Sequence, residues 1–374
     1  MKFIEDFALA LCSLINMIIP KKNNQIFFYS SPDYSDNARA LYEEMKNSGL
    51  DKSYCVVWAV KDLDRFKPLL KNVTVVKHRS LRNLWHYCRS KYIVRTHSLW
   101  GNRCVVDRQV MCIAWHGMPL KKLARVNESV KPVKCDYLLS TSPVFDEELS
   151  SSMGLPTTVC VHTGLPRNDE LFHGKNELES LYPGFSKRII WMPTFRQGAG
   201  YQDGLIPELG IPCVSKDDVG KLNDYLKLNN YLLIVKLHPW AAAQYGRLAY
   251  SNIVELRDAD LPNDLSLYRL IGQTDALITD YSSVYIDYLL CDKPICFAFN
   301  DLSEYAQTRG LVFEPVFDYM PGEKVSDLSG LISWIDSLRQ DDGYRDERAR
   351  LRGLFHSNND SSSSQRVLQI MGLL

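Results

Sequence analysis

A histidine follows an apolar run near the middle of the sequence and has the chemistry of a general base. Residues 111–115 read Met-Cys-Ile-Ala-Trp, and His116-Gly117-Met118-Pro119 come directly after them. The run predicts a buried strand, and side chains at the carboxyl ends of strands face the ligand in open α/β sheets. An imidazole titrates near neutral pH, so His116 could remove a proton from a hydroxyl. The alternative is a histidine that only caps a turn.

The second half of the sequence repeats this pattern. The apolar run 231–237 contains Lys236, and it is followed by His238 and Pro239, which ends the strand. Lys236 and His238 alternate onto one side of the chain, where together they could hold a phosphate. A surface lysine beside a loop histidine would give the same pattern.

Hydroxyl side chains follow a third predicted strand end. The strand 276–279 precedes a predicted helix that runs to about residue 290, and Ser282 or Ser283 can cap its start. Backbone N–H groups at a helix start attract anions, and two hydroxyls add donors for a phosphate. Asp287 lies one turn beyond Ser283, where it could accept hydrogen bonds from ligand hydroxyls. An ordinary capped helix is the alternative.

Two arginines offer further phosphate contacts, and no metal site is predicted. Arg167 lies in a sharp turn at 164–169, and Arg309 precedes a glycine beside a predicted loop. The ten cysteines include no C-x-x-C pair and no Cys/His set with zinc spacing, and no carboxylate cluster suggests magnesium. The sequence therefore predicts neither a metal nor a cofactor, and side chains and helix termini would neutralise a diphosphate.

The elements that must position these side chains alternate between strand and helix in both halves. Such alternation predicts parallel sheets, and two halves of similar size predict two doubly wound, Rossmann-like α/β domains that face a cleft. The predicted strands are 25–30, 54–60, 73–77, 92–97, 111–115, 137–140, 158–162, 188–192, 231–237, 253–256, 276–279 and 294–299, and the predicted helices include 36–47, 216–228 and 331–338. We expect an N-terminal helix in 1–22, a first domain in 23–180 that carries His116, and a second domain in 181–374.

Composition and charge limit the class of protein. A chain of 374 residues is long enough for two domains, and 45% hydrophobic residues are typical of a globular protein. The 44 basic and 44 acidic residues give no net charge, which argues against a protein that wraps nucleic acid. Scattered cysteines favour a reducing compartment.

The N-terminal segment allows two interpretations. Its apolar stretch, residues 7–19, is shorter than the ~20 residues that span a bilayer, and acidic residues at 5 and 6 do not suit a signal peptide. As a helix, the segment places six apolar side chains on one face: Phe3, Phe7, Leu11, Leu14, Ile15 and Ile18. The helix either packs on the protein's own surface or lies at a membrane interface, with Lys21 and Lys22 near anionic headgroups.

Six segments, in this order, resemble motifs of the CDP-glycerol glycerophosphotransferase family, the teichoic acid primases and polymerases. They are Trp115–Lys122 (W-H-G-T-P-L-K in the family), Gly164–Asp169 (G-x-P-R-N-D), Met192–Arg196 (A-P-T-W-R), Lys236–Pro239 (x-x-H-P), Thr279–Asp287 (T-D-Y-S-S-x-x-x-D) and Arg309-Gly310 with Pro321-Gly322 (R-G…P-G). The resemblance covers about residues 25–325. Met118 stands where threonine is usual, so the choice of donor or acceptor could differ. Phe195 replaces a tryptophan, which is a milder change.

The resemblance implies a GT-B-like pair of domains, in which 23–180 forms the acceptor side with His116 and 181–374 binds the CDP-polyol donor. It also assigns roles to residues at matching positions. It makes His116 and His238 the catalytic pair, with His116 as the base. It places Trp115, Gly117, Met118 and Pro119 along the donor site. The further residues implied to contact CDP-glycerol are Arg167, Pro193, Thr194, Lys236, Leu237, Ser282, Ser283, Asp287 and Arg309.

The implied reaction is transfer of glycerol phosphate from CDP-glycerol to a hydroxyl, with release of CMP. The acceptor would be a lipid-linked saccharide or a polyol-phosphate chain at the cytoplasmic face of the membrane, where a peripheral enzyme would build teichoic acid or a capsule-type polymer. CDP-ribitol as the donor is one alternative, and a nucleotide-sugar GT-B glycosyltransferase is another. A non-catalytic nucleotide-binding or scaffold protein is disfavoured because both histidines are present.

Overall fold

The chain folds into two α/β units. The computed structural model describes residues 11–99, 106–123, 134–198, 201–340 and 342–374. The first unit comprises Met1–Met118, Leu123–Glu170 and His356–Leu374, and the second comprises Pro119–Lys122 and Leu171–Phe355. This division differs from the expected boundary at residue 180, chiefly because the C-terminal segment joins the first unit.

The first unit is built on a seven-stranded parallel sheet. Its strands are β1 (Lys22–Tyr29), β2 (Cys55–Val60), β3 (Thr74–Lys77), β4 (Ser90–Arg95), β5 (Val110–Ile113), β6 (Tyr137–Leu139) and β7 (Cys160–Val161). They lie in the order β3-β2-β1-β4-β5-β6-β7. Ile26, Phe27 and Phe28 are fully buried, as expected for a central strand that is covered on both faces.

Helices cover this sheet. They are residues 11–18, α1 (Asp36–Asn47), α2 (Leu63–Leu69), α3 (Leu81–Arg89), α4 (Asp146–Ser152) and the C-terminal helix Ser363–Ile370, with 3₁₀ turns at Leu50–Lys52, Pro143–Phe145, Thr157–Val159 and Pro166–Phe172. Asp169 accepts hydrogen bonds from the backbone N–H groups of Ser363 and Ser364 at 2.9 and 2.8 Å. The aspartate of the G-x-P-R-N-D segment therefore fixes the start of the C-terminal helix, which is why that helix belongs to the first unit.

The helix at residues 11–18 is attached to the first unit through polar contacts. Asn16 is fully buried and donates to Gln109 at 2.7 Å. Leu11, Leu14 and Ile18 are 48%, 56% and 75% exposed, so the predicted apolar face is open to solvent along this segment. Phe3 and Phe7, on the same predicted face, lie outside the described residues. Within the part of the chain that the structure describes, no helix has the length and hydropathy needed to cross a membrane.

The second unit is built on a six-stranded parallel sheet with the order β12-β11-β8-β13-β14-β15. Its strands are β8 (Lys187–Met192), β11 (Tyr231–Val235), β12 (Ile253–Glu255), β13 (Ala276–Thr279), β14 (Ile295–Ala298) and β15 (Glu323–Val325). A separate antiparallel pair consists of β9 (Gln197–Gly198) and β10 (Tyr201–Gln202). Neither β15 nor this pair was expected from the sequence, because each is too short to give an apolar pattern.

The helices of the second unit are α5 (Glu177–Leu181), α6 (Val219–Leu228), α7 (Pro239–Gln244), α8 (Leu267–Ile271), α9 (Val284–Tyr288), α10 (Leu302–Arg309), α11 (Leu328–Ser337) and α12 (Arg345–Phe355), with 3₁₀ turns at Asp258–Asp260, Leu289–Cys291 and Val316–Tyr319. The two parallel sheets confirm the prediction of an α/β protein with two doubly wound halves. Several strands end earlier than expected: β4 ends at Arg95, β5 at Ile113 and β11 at Val235. The polar residues of interest therefore lie on the loops that follow the strands.

Candidate functional site

His116 projects from a tight turn after β5. Trp115 and Gly117 on either side both have positive φ, 49° and 134°. The left-handed region disfavours side chains, and glycine removes that cost at the second position. The turn leaves the imidazole of His116 exposed, while the chain before it is buried.

The imidazole of His116 stacks on two neighbouring rings. The ring of His97, just beyond β4, lies at a centroid distance of 4.8 Å and an interplanar angle of 15°. The ring of Trp115 lies 4.2 Å away on a tilted plane. His97 itself is oriented by Thr96, whose hydroxyl lies 2.9 Å from His97 Nδ1. The packing fixes the plane of the His116 ring and leaves its outer edge open to solvent.

His116 is held in its neutral form. Desolvation by the atoms packed on its inner side, followed by His97, lowers the pKa of His116 to about 4, and Arg167 acts in the same direction. Asp36 and a hydrogen bond to the Thr96 backbone raise the pKa but do not reverse the shift. A neutral imidazole with one nitrogen engaged by a backbone group keeps its second nitrogen as an acceptor for a proton.

Hydrogen bonds from α1 and from the turn at Arg167 hold the loop that carries His116. Asn37 is fully buried and donates to the carbonyl oxygens of Ala114 and Trp115 at 2.9 and 3.1 Å. Arg167 donates to the carbonyl oxygen of His116 at 3.0 Å and to Asp36 at 2.8 Å. The guanidinium of Arg167 is thus engaged in holding the loop of His116, and its contact with CDP-glycerol stays a prediction.

The residues after His116 are buried in the turn. The Met118 side chain is fully buried, with its sulfur 3.9 Å from the hydroxyl of Ser140. Gly117 and Pro119 are buried as well. Met118, which replaces the family's threonine, therefore fills a core position in the first unit. That these residues line a donor site stays a prediction.

In the second unit, His238 lies three residues beyond β11. Its exposed ring stacks on Phe195 at 5.0 Å and 20°. Desolvation, then Lys236 and Lys121, lowers the pKa of His238, while Asp258 raises it. Phe195, where the family has tryptophan, therefore supplies the ring that orients this histidine. Leu237, between the two candidate residues, is buried.

Lys236 is less open than the alternation suggested. Its side chain is 7% exposed, and Nζ lies 2.9 Å from a carboxylate oxygen of Asp258. Nζ also donates to the carbonyl oxygen of Leu237 at 3.4 Å. A phosphate at this position would share the ammonium with Asp258.

A buried ionic cluster holds the loops after β8 and β13. The carboxylate of Asp280 accepts from the backbone N–H and the hydroxyl of Thr194 at 2.8 and 2.6 Å and from Arg196 at 2.9 Å. Arg196 also pairs with Asp301, and its guanidinium lies over the rings of Tyr281 and Tyr305. Thr194 and the adjacent Pro193 are buried, so the hydroxyl of Thr194 serves this cluster in the present structure.

The two serines of the T-D-Y-S-S segment have available hydroxyls. Ser283 occupies the predicted N-cap position of α9, but its side chain makes no capping hydrogen bond. Among the residues that the structure describes, neither hydroxyl of Ser282 and Ser283 has a hydrogen-bond partner, and both residues are half-buried. Asp287 is 1% exposed and accepts from the hydroxyl of Tyr268 at 2.7 Å, so its contact with a ligand stays a prediction.

Arg309 ends α10, and the glycine after it meets the segment that follows His116 along the chain. The backbone N–H of Lys122 donates to the carbonyl oxygen of Gly310 at 3.2 Å, and Val312 donates to Leu120 at 2.9 Å. A Cβ on Gly310, where φ is 73°, would lie 3.2 Å from the Lys122 side chain. Two of the family-like segments are thus paired within the second unit. Within the described ranges, no three His, Cys, Asp or Glu side chains are grouped as metal ligands.

Sequence reasoning missed four residues that shape these sites: His97, Asn37, Arg196 and Asp280. His97 ended a predicted strand, so the rule that selected His116 could also have selected it. Arg196 and Asp280 were visible in the family-like segments, but nothing in a single sequence indicates that they are buried as a pair.

Comparison with known proteins identifies the family. The family model described as CDP-Glycerol:Poly(glycerophosphate) glycerophosphotransferase matches residues 11–372. The teichoic acid ribitol-phosphate primase of Bacillus spizizenii is 25% identical, over 95% of this chain and 92% of the relative. The teichoic acid glycerol-phosphate transferase of Staphylococcus aureus is 27% identical, over 98% of this chain and 97% of the relative.

A solved structure supports the fold. The structure of the wall teichoic acid polymerase TagF matches with a TM-score of 0.76 and 23% identity, over 98% of this chain and 93% of that chain. At this identity the likeness shows a common fold, and it confirms the predicted GT-B-like class. The chain therefore belongs to the CDP-glycerol:poly(glycerophosphate) glycerophosphotransferase family, the transferases of teichoic acid synthesis.

Proposed function

We propose that this protein transfers glycerol phosphate from CDP-glycerol to a hydroxyl of a lipid-linked saccharide or a polyol-phosphate chain. CMP is the second product, and the polymer is a teichoic acid or a capsule-type polymer. The acceptor oxygen attacks the phosphorus that bears the glycerol, and the bond from this phosphorus to the bridging oxygen of CMP breaks. The proton of the acceptor hydroxyl passes to the base, and CMP leaves with the electron pair of the broken bond.

The arrangement of His116 is the single observation that carries this proposal. The imidazole is exposed, neutral and fixed in orientation by the rings of His97 and Trp115. A general base needs a free nitrogen that is within reach of the substrate and unprotonated at the working pH. The exposed ring of His116 and its lowered pKa suit these requirements, while Arg167 and Asn37 hold the loop behind it.

Groups of the second unit suit the donor. The free hydroxyls of Ser282 and Ser283 are available to donate hydrogen bonds to the diphosphate, and Lys236 and His238 can add to them. Arg309 is assigned to the same donor by its match to the family motif. The cation on Lys236 would offset the negative charge that develops on the CMP oxygen, as side chains do where no metal takes part.

We place the enzyme at the cytoplasmic face of the membrane as a peripheral protein. Besides the exposed apolar face of helix 11–18, α3 exposes Leu81 by 86% and Trp85 by 47%. Arg89 lies over the Trp85 ring, and α3 carries no acidic residue. Exposed apolar side chains among basic ones are typical of helices that lie at an anionic lipid surface.

A donor panel tests the proposed reaction. The protein is incubated with CDP-glycerol, CDP-ribitol or several UDP-sugars in the presence of a lipid-linked saccharide, and released nucleotide is measured. We expect CMP from CDP-glycerol together with an elongated acceptor. Preference for CDP-ribitol would move the proposal to the alternative donor, and UDP release without CMP would identify a sugar transferase and overturn it.

A flotation assay tests the membrane assignment. Leu14→Glu with Ile18→Glu should release the protein from liposomes that contain anionic lipid, because both side chains are exposed and would otherwise enter the interface. Leu228→Glu is the matched control, because Leu228 is 85% exposed on the second unit. Equal flotation of the double variant and the control would contradict the assignment.

A further inference from the structure

The first unit carries a second group of polar side chains on the edge of the sheet that carries His116. Lys61 follows β2, and His78 and Arg79 follow β3. Parallel strands end at one edge of a sheet, and the order β3-β2-β1-β4-β5 makes these loops continue the row of His97 after β4 and His116 after β5. The proposed transfer reaction uses none of Lys61, His78 and Arg79.

The two cations of this group are not neutralised. Lys61 and Arg79 are exposed, and in the described ranges neither forms an ion pair. Among the described residues, the side chain of Lys61 donates to the hydroxyl of Ser31 at 3.3 Å. One carboxylate oxygen of the neighbouring Asp33 accepts hydrogen bonds from the backbone N–H groups of Lys61 and Asp62 at 2.7 and 2.9 Å. Neither the ammonium of Lys61 nor the guanidinium of Arg79 is therefore paired with Asp33 in the described ranges.

His78 adds a fixed polar ring to the two cations. The imidazole stacks on Tyr29, at the end of β1, with a centroid distance of 5.0 Å and an interplanar angle of 19°. Its Nδ1 atom is buried and has no hydrogen-bond partner in the part of the chain that the structure describes. Desolvation, then Arg79 and Lys61, lowers the pKa of His78, while Asp33 raises it. Both cations are thus close enough to act on this one ring.

The positive charge of Lys61 also acts on His97, the ring that stacks on His116. The pKa of His97 is lowered by burial first, and Lys61 and Arg95 contribute in the same direction against Asp36. Neighbouring strands lie about 4.8 Å apart, so the loops after β2 and β3 begin about 14 and 19 Å along the edge from β5.

We propose that Lys61, His78 and Arg79 bind a phosphate of the acceptor, set back from the hydroxyl that His116 activates. The inference rests on the proposed function and adds to it a binding site for the phosphate of the acceptor. A phosphodiester of a polyol-phosphate chain and the diphosphate of a lipid-linked saccharide offer the same chemistry. Cations pair with such groups through charge-assisted hydrogen bonds, and a row along the edge suits an extended chain.

Kinetics with matched acceptors test this site. The double variant Lys61→Ala/Arg79→Ala is compared with Lys52→Ala/Lys71→Ala, which removes two exposed lysines that precede β2 and β3, at the opposite end of the same strands. The acceptors are a neutral glycerol ether, tri(glycerol phosphate) and a lipid-diphosphate saccharide.

We expect the Lys61→Ala/Arg79→Ala variant to raise KM about 10-fold or more for a phosphorylated acceptor, and less as salt is raised. KM for the neutral acceptor and for the donor should stay within about twofold. The phosphorylated acceptor whose KM rises more identifies the source of the phosphate. An equal rise in KM for the neutral acceptor would overturn the site. So would a rise no larger than that of the Lys52→Ala/Lys71→Ala control.

A binding measurement separates this site from the reaction. Tri(glycerol phosphate) is added to ¹⁵N-histidine-labelled protein without donor, and the ring signals of His78 are followed. They should shift in the wild type and in the lysine control, and stay unchanged in the Lys61→Ala/Arg79→Ala variant. An unshifted wild type would refute the site even if CMP release is normal, and a shift without any CMP release would leave the site standing while the proposed reaction fails.

Discussion

The loop that carries His116 and the loops that carry the family-like serines follow strands of the two sheets, but they are stabilised in different ways. In the first unit, a buried amide, Asn37, and the largely buried pair of Arg167 and Asp36 hold the backbone, and the ring of His116 is exposed. In the second unit, a fully buried cluster around Arg196 and Asp280 holds the loops.

This difference suggests a division of labour. A ring that must exchange a proton needs an open edge and a tuned pKa, which a hydrogen-bonded backbone provides without burying the ring. A diphosphate needs donors at fixed positions, and a buried ionic cluster fixes two loops at once. We therefore expect changes at His116 to slow the chemical step. Changes in the serine loops of the second unit and in the cluster that holds them should weaken donor binding and folding.

The largest effect is expected at His116. His116→Ala should lower kcat about 10²–10⁴-fold, the scale for the loss of a general base, with donor affinity nearly unchanged. His173→Ala is the control, because His173 is exposed and belongs to no proposed site. CMP release at a normal rate by the His116→Ala variant would show that His116 is not the base and that its loss does not slow the chemical step.

The next effect concerns the ionic cluster. Arg196→Met should lower the free energy of unfolding by about 3–5 kcal/mol, because it leaves Asp280 and Asp301 buried without their cation. The control is Arg247→Met, which breaks the largely exposed pair with Asp260 and should cost less than about 1 kcal/mol. Both values come from urea unfolding. A similar small loss in both variants would show that the cluster does not hold the second unit together.

A smaller effect is expected at the serines. Ser282→Ala with Ser283→Ala should weaken CDP-glycerol binding about 10-fold or more, because hydrogen bonds to a charged diphosphate are lost. Folding should be unaffected, since neither hydroxyl has a partner among the described residues. Calorimetric titration compares this variant with Ser329→Ala/Ser333→Ala on α11, and equal affinity in the two would count against the serine site.

The sequence predicted most strands, and it predicted that polar residues of interest follow the ends of those strands. His116, His238 and both serines were found in this way, because the type of residue and its position after an apolar run are local properties. The fold class followed for the same reason, since alternation of strands and helices is visible along the chain.

The partners of the predicted site residues were not visible. Arg167 pairs with Asp36, 131 positions away, and Asp169 holds the C-terminal helix from 194 positions away. Each residue looked like a free phosphate ligand or a turn residue, because a single sequence shows no long-range contact. The missing cap at Ser283 has a different cause: α9 has only five residues, too few to give a reliable capping pattern.

The pH dependence of transfer tests most directly whether a neutral His116 is the base. Desolvation and His97 lower the pKa of His116 to about 4, and a base works unprotonated, so activity should persist as pH falls. An unshifted histidine with a pKa of about 6.5 would be only about one quarter neutral at pH 6. We predict that kcat/KM stays nearly constant down to about pH 6 and falls only below it, with folding followed by circular dichroism. An acid limb with a midpoint near pH 7 in folded protein would contradict the account.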